Sequence, residues 1–302
     1  MDKLYSPAVV QEIIDKYGFH FSKSLGQNFL TDGNIVESII RGAGIGKDDL
    51  VIEVGPGLGV LTAAAARQAA KVIAIEIDEK LIPILNDTLK EYENISIIKG
   101  DFLKMNLSEL IAAEFQGNKG AFAGVKLIGN LPYYITSPII MKVLEEQAEK
   151  PCRIQSLTIM MQKEVGDRIK AAPGSKTYGA FSVAVQYYCS IKVVATVPKS
   201  VFMPQPKVDS LVLNLIVRDE PPVKVDYPQR FFDVVKAAFA QRRKTLLNSL
   251  TGVCGLDRMQ VAAMLASAGI DPMRRAETLG LGEFAAIADL VGEETCKLSG
   301  KR

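Results

Sequence analysis

Histidine is nearly missing from this 302-residue chain: His20 stands alone. That leaves almost no room for a nucleophile activated by histidine or for a His-rich metal site. Cysteine is scarce too. Cys152, Cys189, Cys254 and Cys296 lie far apart and form no C-x-x-C pair, which excludes a disulfide framework and a zinc site and fits reduced thiols of a cytoplasmic protein. No metal is expected. Long apolar runs are also lacking, since Pro, Asn or a charge interrupts each one short of membrane-spanning length. The stretch from Met1 to Phe19 has polar residues throughout, without the apolar block of a signal peptide. The chain reads as cytoplasmic, with no membrane partner. Charge of one sign is in short supply as well, the net value being +2. From residue 223 onward there are 12 Lys and Arg against 9 Asp and Glu, and before it 24 against 25. Any electrostatic footprint for nucleic acid is therefore local and biased toward the C-terminal part.

What is present is apolar material in a regular rhythm. Hydrophobic residues make up 48% of the chain, enough for a large domain and a smaller one. Short β-branched runs at 50–54, 71–77, 95–99, 126–128 and 157–161 read as strands, with helical patterns at 58–67 and 80–92 between them. Near-continuous apolar strands separated by helices predict a parallel sheet covered on both faces. The rhythm then changes: 181–190, 192–196 and 210–217 follow one another as antiparallel strands would. Asp219-Glu220-Pro221-Pro222 reads as a hinge. Beyond it come helical signals at 228–240, 243–250, 257–268 and 282–290, with Asp271-Pro272 suited to an N-cap and first helical residue. The expected architecture is an α/β domain over 1–222, its first 48 residues forming a lid and helices, followed by a small all-helical domain over 223–302.

Chemistry gathers at the strand ends. After the first strand comes Glu53-Val54-Gly55-Pro56-Gly57-Leu58-Gly59, where glycines let the backbone turn sharply beside a ligand at a helix N-terminus. Glu76, ending the second strand, is placed to accept hydrogen bonds from ribose hydroxyls. The dinucleotide pattern G-x-G-x-x-G/A fails because its third position is Val60. The alternating G-x-G-x-G behind an acidic residue resembles instead the S-adenosylmethionine (SAM) loop of class I methyltransferases, on a Rossmann-like sheet. Asp101-Phe102, after the third strand, suits recognition of an adenine, the carboxylate accepting from its amine and the ring packing on its face.

The fourth strand ends in Asn130-Leu131-Pro132-Tyr133, none of which is a nucleophile or a base near neutral pH. Such a site works by holding its substrate. An adenine amine is a poor nucleophile because its lone pair is delocalised into the ring. Acceptors aimed at its N–H groups, the Asn130 side-chain oxygen and the Leu131 carbonyl, draw the nitrogen toward tetrahedral geometry; Pro132 fixes the turn and Tyr133 stacks on the base.

With these residues in view, the chain resembles the ribosomal RNA adenine dimethyltransferases along almost its whole length, in their small-subunit branch. The match includes Lys23-Ser24-Leu25-Gly26-Gln27-Asn28-Phe29-Leu30, the stretch from Phe202-Met203-Pro204-Gln205 to Ser210, and Phe239-Ala240-Gln241-Arg242-Arg243-Lys244-Thr245-Leu246. The resemblance implies that Asn28 and Leu30 close over SAM and that Gly55, Gly57, Glu76, Asp101, Phe102 and Asn130 contact it. Tyr133 and Phe202, the latter read as an exposed aromatic stiffened by Pro204 and Pro206, would sandwich the target adenine. It further implies dimethylation of adenosines in 16S rRNA within a pre-30S or 30S particle, by a monomer, during ribosome biogenesis. Arg242, Arg243 and Lys244 are candidate phosphate contacts, or else a solvated helix start. Two other readings stay open at this point: the large-subunit methyltransferase of macrolide resistance, and an RNA-binding assembly or transcription factor with vestigial SAM binding.

Overall fold

The structure, a computed structural model, describes residues 4–22, 25–117, 122–147 and 154–299. Lys23, Ser24 and Cys152 lie outside them. The strands are β1 (Phe29–Leu30), β2 (Asp49–Val54), β3 (Lys71–Glu76), β4 (Ile95–Lys99), β5 (Gly124–Asn130), β6 (Ile154–Gln162), β7 (Cys189–Val197), β8 (Phe202–Met203) and β9 (Ser210–Val217). The helices are α1 (Pro7–Tyr17), α2 (Gly33–Ala43), α3 (Val60–Ala66), α4 (Leu81–Thr88), α5 (Leu107–Gly117), α6 (Thr136–Gln147), α7 (Lys163–Ile169), α8 (Ala180–Tyr188), α9 (Pro228–Ala240), α10 (Leu246–Leu250), α11 (Arg258–Ser267) and α12 (Leu281–Ser299). Two compact units result. One comprises the chain up to Gly166 with Ser190–Arg218, the other Asp167–Cys189 with the chain from Asp219. A cut at residue 222 would thus leave 167–189 on the wrong side.

In the first unit a seven-stranded sheet runs in the order β4-β3-β2-β5-β6-β9-β7, and β1 pairs separately with β8. Strands β2 to β6 are parallel, and β9 joins β6 antiparallel. Chain order reverses between β2 and β5. β3 and β4 follow outward on one side of that line and β6 on the other, which opens a crevice beyond its carboxyl ends. One-sided alternation sets what fills the sheet faces. Val51, Val72, Ile128, Met160 and Val212 join residues of α1 to α4 in one core, so by the period of two Glu53 and Glu76 point to that same face. So does Lys126, which donates to the α2 carbonyls of Ala43 and Gly44 and lies 3.3 Å from Asp49. A cation at a helix C-terminus meets the partial negative charge of the orphan carbonyls. Helix α2 itself follows from its sequence: the Asp32 side chain accepts from the Asn34 and Ile35 N–H groups, Gly44 closes it at φ 59°, and Val36, Ile39, Ile40 and Ala43 form its buried stripe.

The second unit differs from expectation in three places. Residues 180–188 form helix α8 rather than a strand. The alternation Phe181, Val183, Val185 mimics a strand, but Ser182 and Ala184 between them are buried as well, and burial on all sides is a helix buried among helices. Residues 243–245 precede α10 instead of belonging to it, because Gln241 leaves the helical region (φ −131°, ψ 81°) and Thr245 is an extended N-cap. Asp271 caps a turn, not a helix, its carboxylate accepting from the Met273 N–H at 2.8 Å. Asp257 does cap α11, in a reciprocal box with Gln260. The core gathers aromatic rings: Tyr187 stacks on Phe231 with centroids 4.7 Å apart, and Phe284, fully buried, lies 5.8 Å from Phe239. Among the described residues, no helix is long and apolar enough to cross a membrane.

Phe284→Ala should cost about 3–5 kcal/mol, since a fully buried ring leaves a cavity that the surrounding core only partly fills. Denaturant unfolding of the pure protein measures this; a midpoint equal to wild type would show that the ring is not part of the core.

Candidate functional site

The crevice at the β2–β5 reversal is a cavity of about 240 Å³. Its walls come from five segments: the lid 25–30, the glycine loop after β2, the end of β3, the end of β4, and the turn after β5. Asn28, Leu30, Gly55, Gly57, Glu76, Asp101 and Phe102 all line it, and so do Asn130, Leu131, Pro132 and Tyr133.

The glycine loop has a conformational reason. Gly55, Gly57 and Gly59 have φ of 71°, 60° and 87°, the left-handed region that side chains with a Cβ rarely adopt. At Gly57 a Cβ would also sit 3.0 Å from the Phe29 ring, so the loop and lid approach each other only because the side chain is missing. Phe29 is held in turn by Phe19 and Phe21, with ring centroids 5.9 and 5.3 Å away.

Two carboxyl groups lie buried at the cavity floor. Glu53 is 1% exposed, and its Oε2 has no hydrogen-bond partner among the described residues. Burial pushes its pKa up to about 8, and the Glu76 carboxylate adds to the rise. The Thr62 hydroxyl is near enough to favour the charged form but outside hydrogen-bond geometry. Burial also raises the Glu76 carboxyl, against the backbone N–H groups of Asp78, Gly57 and Ile77. Its Oε1 accepts from Asp78 N–H at 2.8 Å, while the Gly57 N–H reaches Oε2 at a long 3.4 Å. Asp101 spends one oxygen on the Leu103 N–H at 3.0 Å, capping the short 3₁₀ turn that carries Phe102.

At the opposite wall, the Asn130 amide nitrogen donates to the Asn28 carbonyl at 2.8 Å. That bond fixes which way the amide faces and leaves its oxygen as an acceptor. The Leu131 N–H is used by Met160 O at 3.1 Å, and its carbonyl receives no hydrogen bond among the described residues. Pro132 O accepts from Ile135 N–H and Thr136 Oγ1, which closes the turn. The Tyr133 hydroxyl meets Ser210 Oγ at 3.2 Å, anchoring the ring by its tip.

Phe202 is placed otherwise than expected. It is 5% exposed, packs in the core of the first unit and does not line the cavity. Its backbone pairs with Leu30 in the β1–β8 ribbon, and an apolar ring beside that ribbon is worth more buried than in water. Arg242, Arg243 and Lys244 are exposed in the turn after α9, and the Arg242 guanidinium lies 3.5 Å from the Lys176 and Tyr178 carbonyls. Gln27 and Phe29, expected only as part of the lid stretch and not as contacts, also line the cavity, and so does Ile77, expected only as a strand residue. Ile77 is 51% exposed immediately after Glu76, an apolar residue left open at a strand end, which is the signal that could have marked it.

A family model described as ribosomal RNA adenine dimethylase matches residues 18–292. The chain belongs to that family. It is 52% identical to the ribosomal RNA small subunit methyltransferase A of Alkaliphilus metalliredigens, covering 95% of this chain and 97% of that one. Its identity to the protein of that name from Clostridioides difficile is 48%, over 96% and 98% of the two chains. Among solved structures it is similar to a dimethyladenosine transferase from Plasmodium falciparum, with TM-score 0.71, 24% identity and coverage of 86% and 95%. The 23S rRNA methyltransferase ErmE gives TM-score 0.62 and 25% identity over 87% and 99%. The fold is therefore that of Rossmann-like methyltransferases, and the chain is a methyltransferase. Among the described residues no cluster of three His, Cys, Asp or Glu side chains is placed to hold a metal ion.

The buried carboxyls give a pH signature. An acid whose folded pKa is raised binds its proton more tightly folded than unfolded, so stability is lost as pH climbs from its unfolded to its folded value. For Glu53 that window runs from 4.5 to about 8, with Glu76 adding a slope of the same sign. Urea midpoints of the cofactor-free protein should fall with pH across this window. In Glu53→Gln the slope should shrink by roughly 1.4 kcal/mol per pH unit; an unchanged slope would mean that Glu53 is ionised throughout.

Proposed function

We propose that this methyltransferase transfers methyl groups from SAM to the N6 amines of two adjacent adenosines in a hairpin loop near the 3′ end of 16S rRNA, within a pre-30S or 30S particle. What carries this reading is the Asn130 amide, whose nitrogen is committed to the Asn28 carbonyl and whose oxygen, like the Leu131 carbonyl, has no hydrogen-bond donor among the described residues. Two neutral acceptors at one turn match the two N–H groups of an adenine amine.

SAM suits the cavity on the residues present. The glycine loop admits close backbone approach, Glu76 offers a buried acceptor for ribose hydroxyls, and Glu53, with an orphaned oxygen, is a carboxyl that a cationic ligand would draw into its charged form. Asp101 and Phe102 would take the adenine, with Asn28 and Leu30 above. When bound, SAM supplies a methyl group on a sulfonium, activated for transfer to a nucleophile.

The remaining chemistry belongs to the chain. Asn130 and Leu131 accept from the target amine and turn its lone pair outward; Tyr133, steadied by Ser210, stacks on the base once it has left its helix. Phe202 supports the lid through the Leu30 pairing rather than gripping the base. No strong base is needed, because the methylated amine is acidic enough to lose its proton to water. The first methyl removes one N–H, and Asn130, being neutral, gives up a bond without stranding a buried charge. In the second unit, Arg242, Arg243 and Lys244 supply phosphate contacts. The 16S assignment is supported by the named relatives of about 50% identity.

Unmethylated small-subunit particles incubated with enzyme and SAM should yield dimethyladenosine confined to that loop on nucleoside mass spectrometry, and Asn130→Ala should yield almost none. Methyl label found only on large-subunit RNA would sink the substrate assignment. The absence of any transfer would favour an assembly factor. Arg242→Ala with Arg243→Ala should weaken particle binding and lower the slope of log affinity against log salt by about 2, one per lost phosphate contact, leaving SAM affinity alone. An unmoved slope would make the turn a solvated face.

A further inference from the structure

We propose, on the reading of the cavity as a SAM site, that Gln27 and Asp78 form a latch that holds lid residues 25–30 against the ribose side, and that both are positioning residues for cofactor capture. Gln27 is half-buried and uses both ends of its amide. Nε2 donates to Asp78 Oδ2 at 2.7 Å, and Oε1 accepts the Ser22 N–H at 2.7 Å. Asp78 is equally committed. Its other oxygen accepts from Lys80 N–H at 3.0 Å, and its own N–H donates to Glu76 Oε1 at 2.8 Å. The lid is thus tied to the residue that orients the ribose carboxylate.

The next lid residue reaches the other way, since the Asn28 carbonyl accepts from Asn130. Consecutive residues of one strap therefore fasten to opposite walls of the crevice, Gln27 at the end of β3 and Asn28 at the end of β5. The third attachment is β1–β8, where Leu30 pairs with Phe202 and Thr31 N–H donates to Val201 O at 2.8 Å. Held only there and at Asn130, the strap would have no fixed height above the ribose. A hydrogen bond to a carboxylate is directional and stronger than one between neutral groups, which suits a latch that must close repeatedly in one register.

The test is calorimetric titration of SAM into the full-length protein and its variants, with unfolding midpoints and initial rates in parallel. Gln27→Ala should weaken SAM binding roughly tenfold or more, the range expected for losing a charge-assisted hydrogen bond. Its KM for SAM should rise alike, while the rate at saturating SAM stays within about threefold. Gln27→Glu should bind more weakly still, because the introduced carboxylate faces Asp78. Combining Gln27→Glu with Asp78→Asn should bring affinity back to within about threefold of wild type: the introduced amide donates to the introduced carboxylate, and Ser22 and Lys80 keep their acceptors.

Unchanged SAM affinity in Gln27→Ala overturns the latch, as does a double variant no better than Gln27→Glu alone. A fall in cofactor-free stability that tracks the lost affinity assigns the pair to folding and overturns it too. Wild-type protein that binds no SAM overturns the cofactor reading itself, a result distinct from wild-type binding shared equally by every variant.

Discussion

One hydrogen bond orders the site: the Asn130 amide nitrogen to the Asn28 carbonyl, 2.8 Å long. An asparagine amide can face either way, and only a committed donor makes its oxygen a reliable acceptor. The bond needs β5 to end at Asn130 and the lid to lie above it. The first condition comes from the parallel sheet, whose register places Asn130 opposite Met160 of β6. The second comes from the aromatic packing under Phe29 and from the missing side chain at Gly57. Remove either and the acceptor loses its direction, although no residue of the turn has changed.

The cavity also stores electrostatic cost. Both carboxyls are denied water, so both titrate upward; the Glu76 charge adds to the rise at Glu53, and the Asp78 charge to that at Glu76. A core built for stability alone would place apolar residues there, as it does at Ile52, Ile73 and Ile75 of the same strands. The carboxyls sit where β2 and β3 run out into the crevice. Strain of this kind concentrates where a ligand is to relieve it.

Much of this was legible in the sequence because strand ends carry chemistry and strand bodies carry periodicity. The glycine loop, Glu76, Asp101 and the Asn130 turn each follow an apolar run, and the parallel topology brings such ends together. Failures came where a pattern had two physical meanings. Alternation at Phe181, Val183 and Val185 fits a strand on one face and a helix buried all round, and only the burial of Ser182 and Ala184 separates them. Phe202 lies among prolines and looked exposed, yet its two-residue ribbon with β1 is a pairing across 172 residues that no local signal announces. Gln27 was hidden for the same reason, since its partner Asp78 is 51 residues away.

Charge is divided across the cavity. Glu53, Glu76 and Asp101 line the side of β2, β3 and β4, whereas the β5 turn offers an amide, a carbonyl and tyrosine rings. Each wall is matched to a different reactant under the proposed reading. The acidic side favours a cation, and a positive charge placed there pulls both buried carboxyls back toward their ionised forms. The neutral side receives an uncharged amine, which a carboxylate would hold too tightly to release after the first methyl. Transfer leaves the cofactor without its sulfonium charge, so the wall that captured it holds the product less strongly. The β5 turn, with no base and no nucleophile of its own, can then still serve a site that turns over in one direction. Its selectivity resides in which wall is charged and which is not.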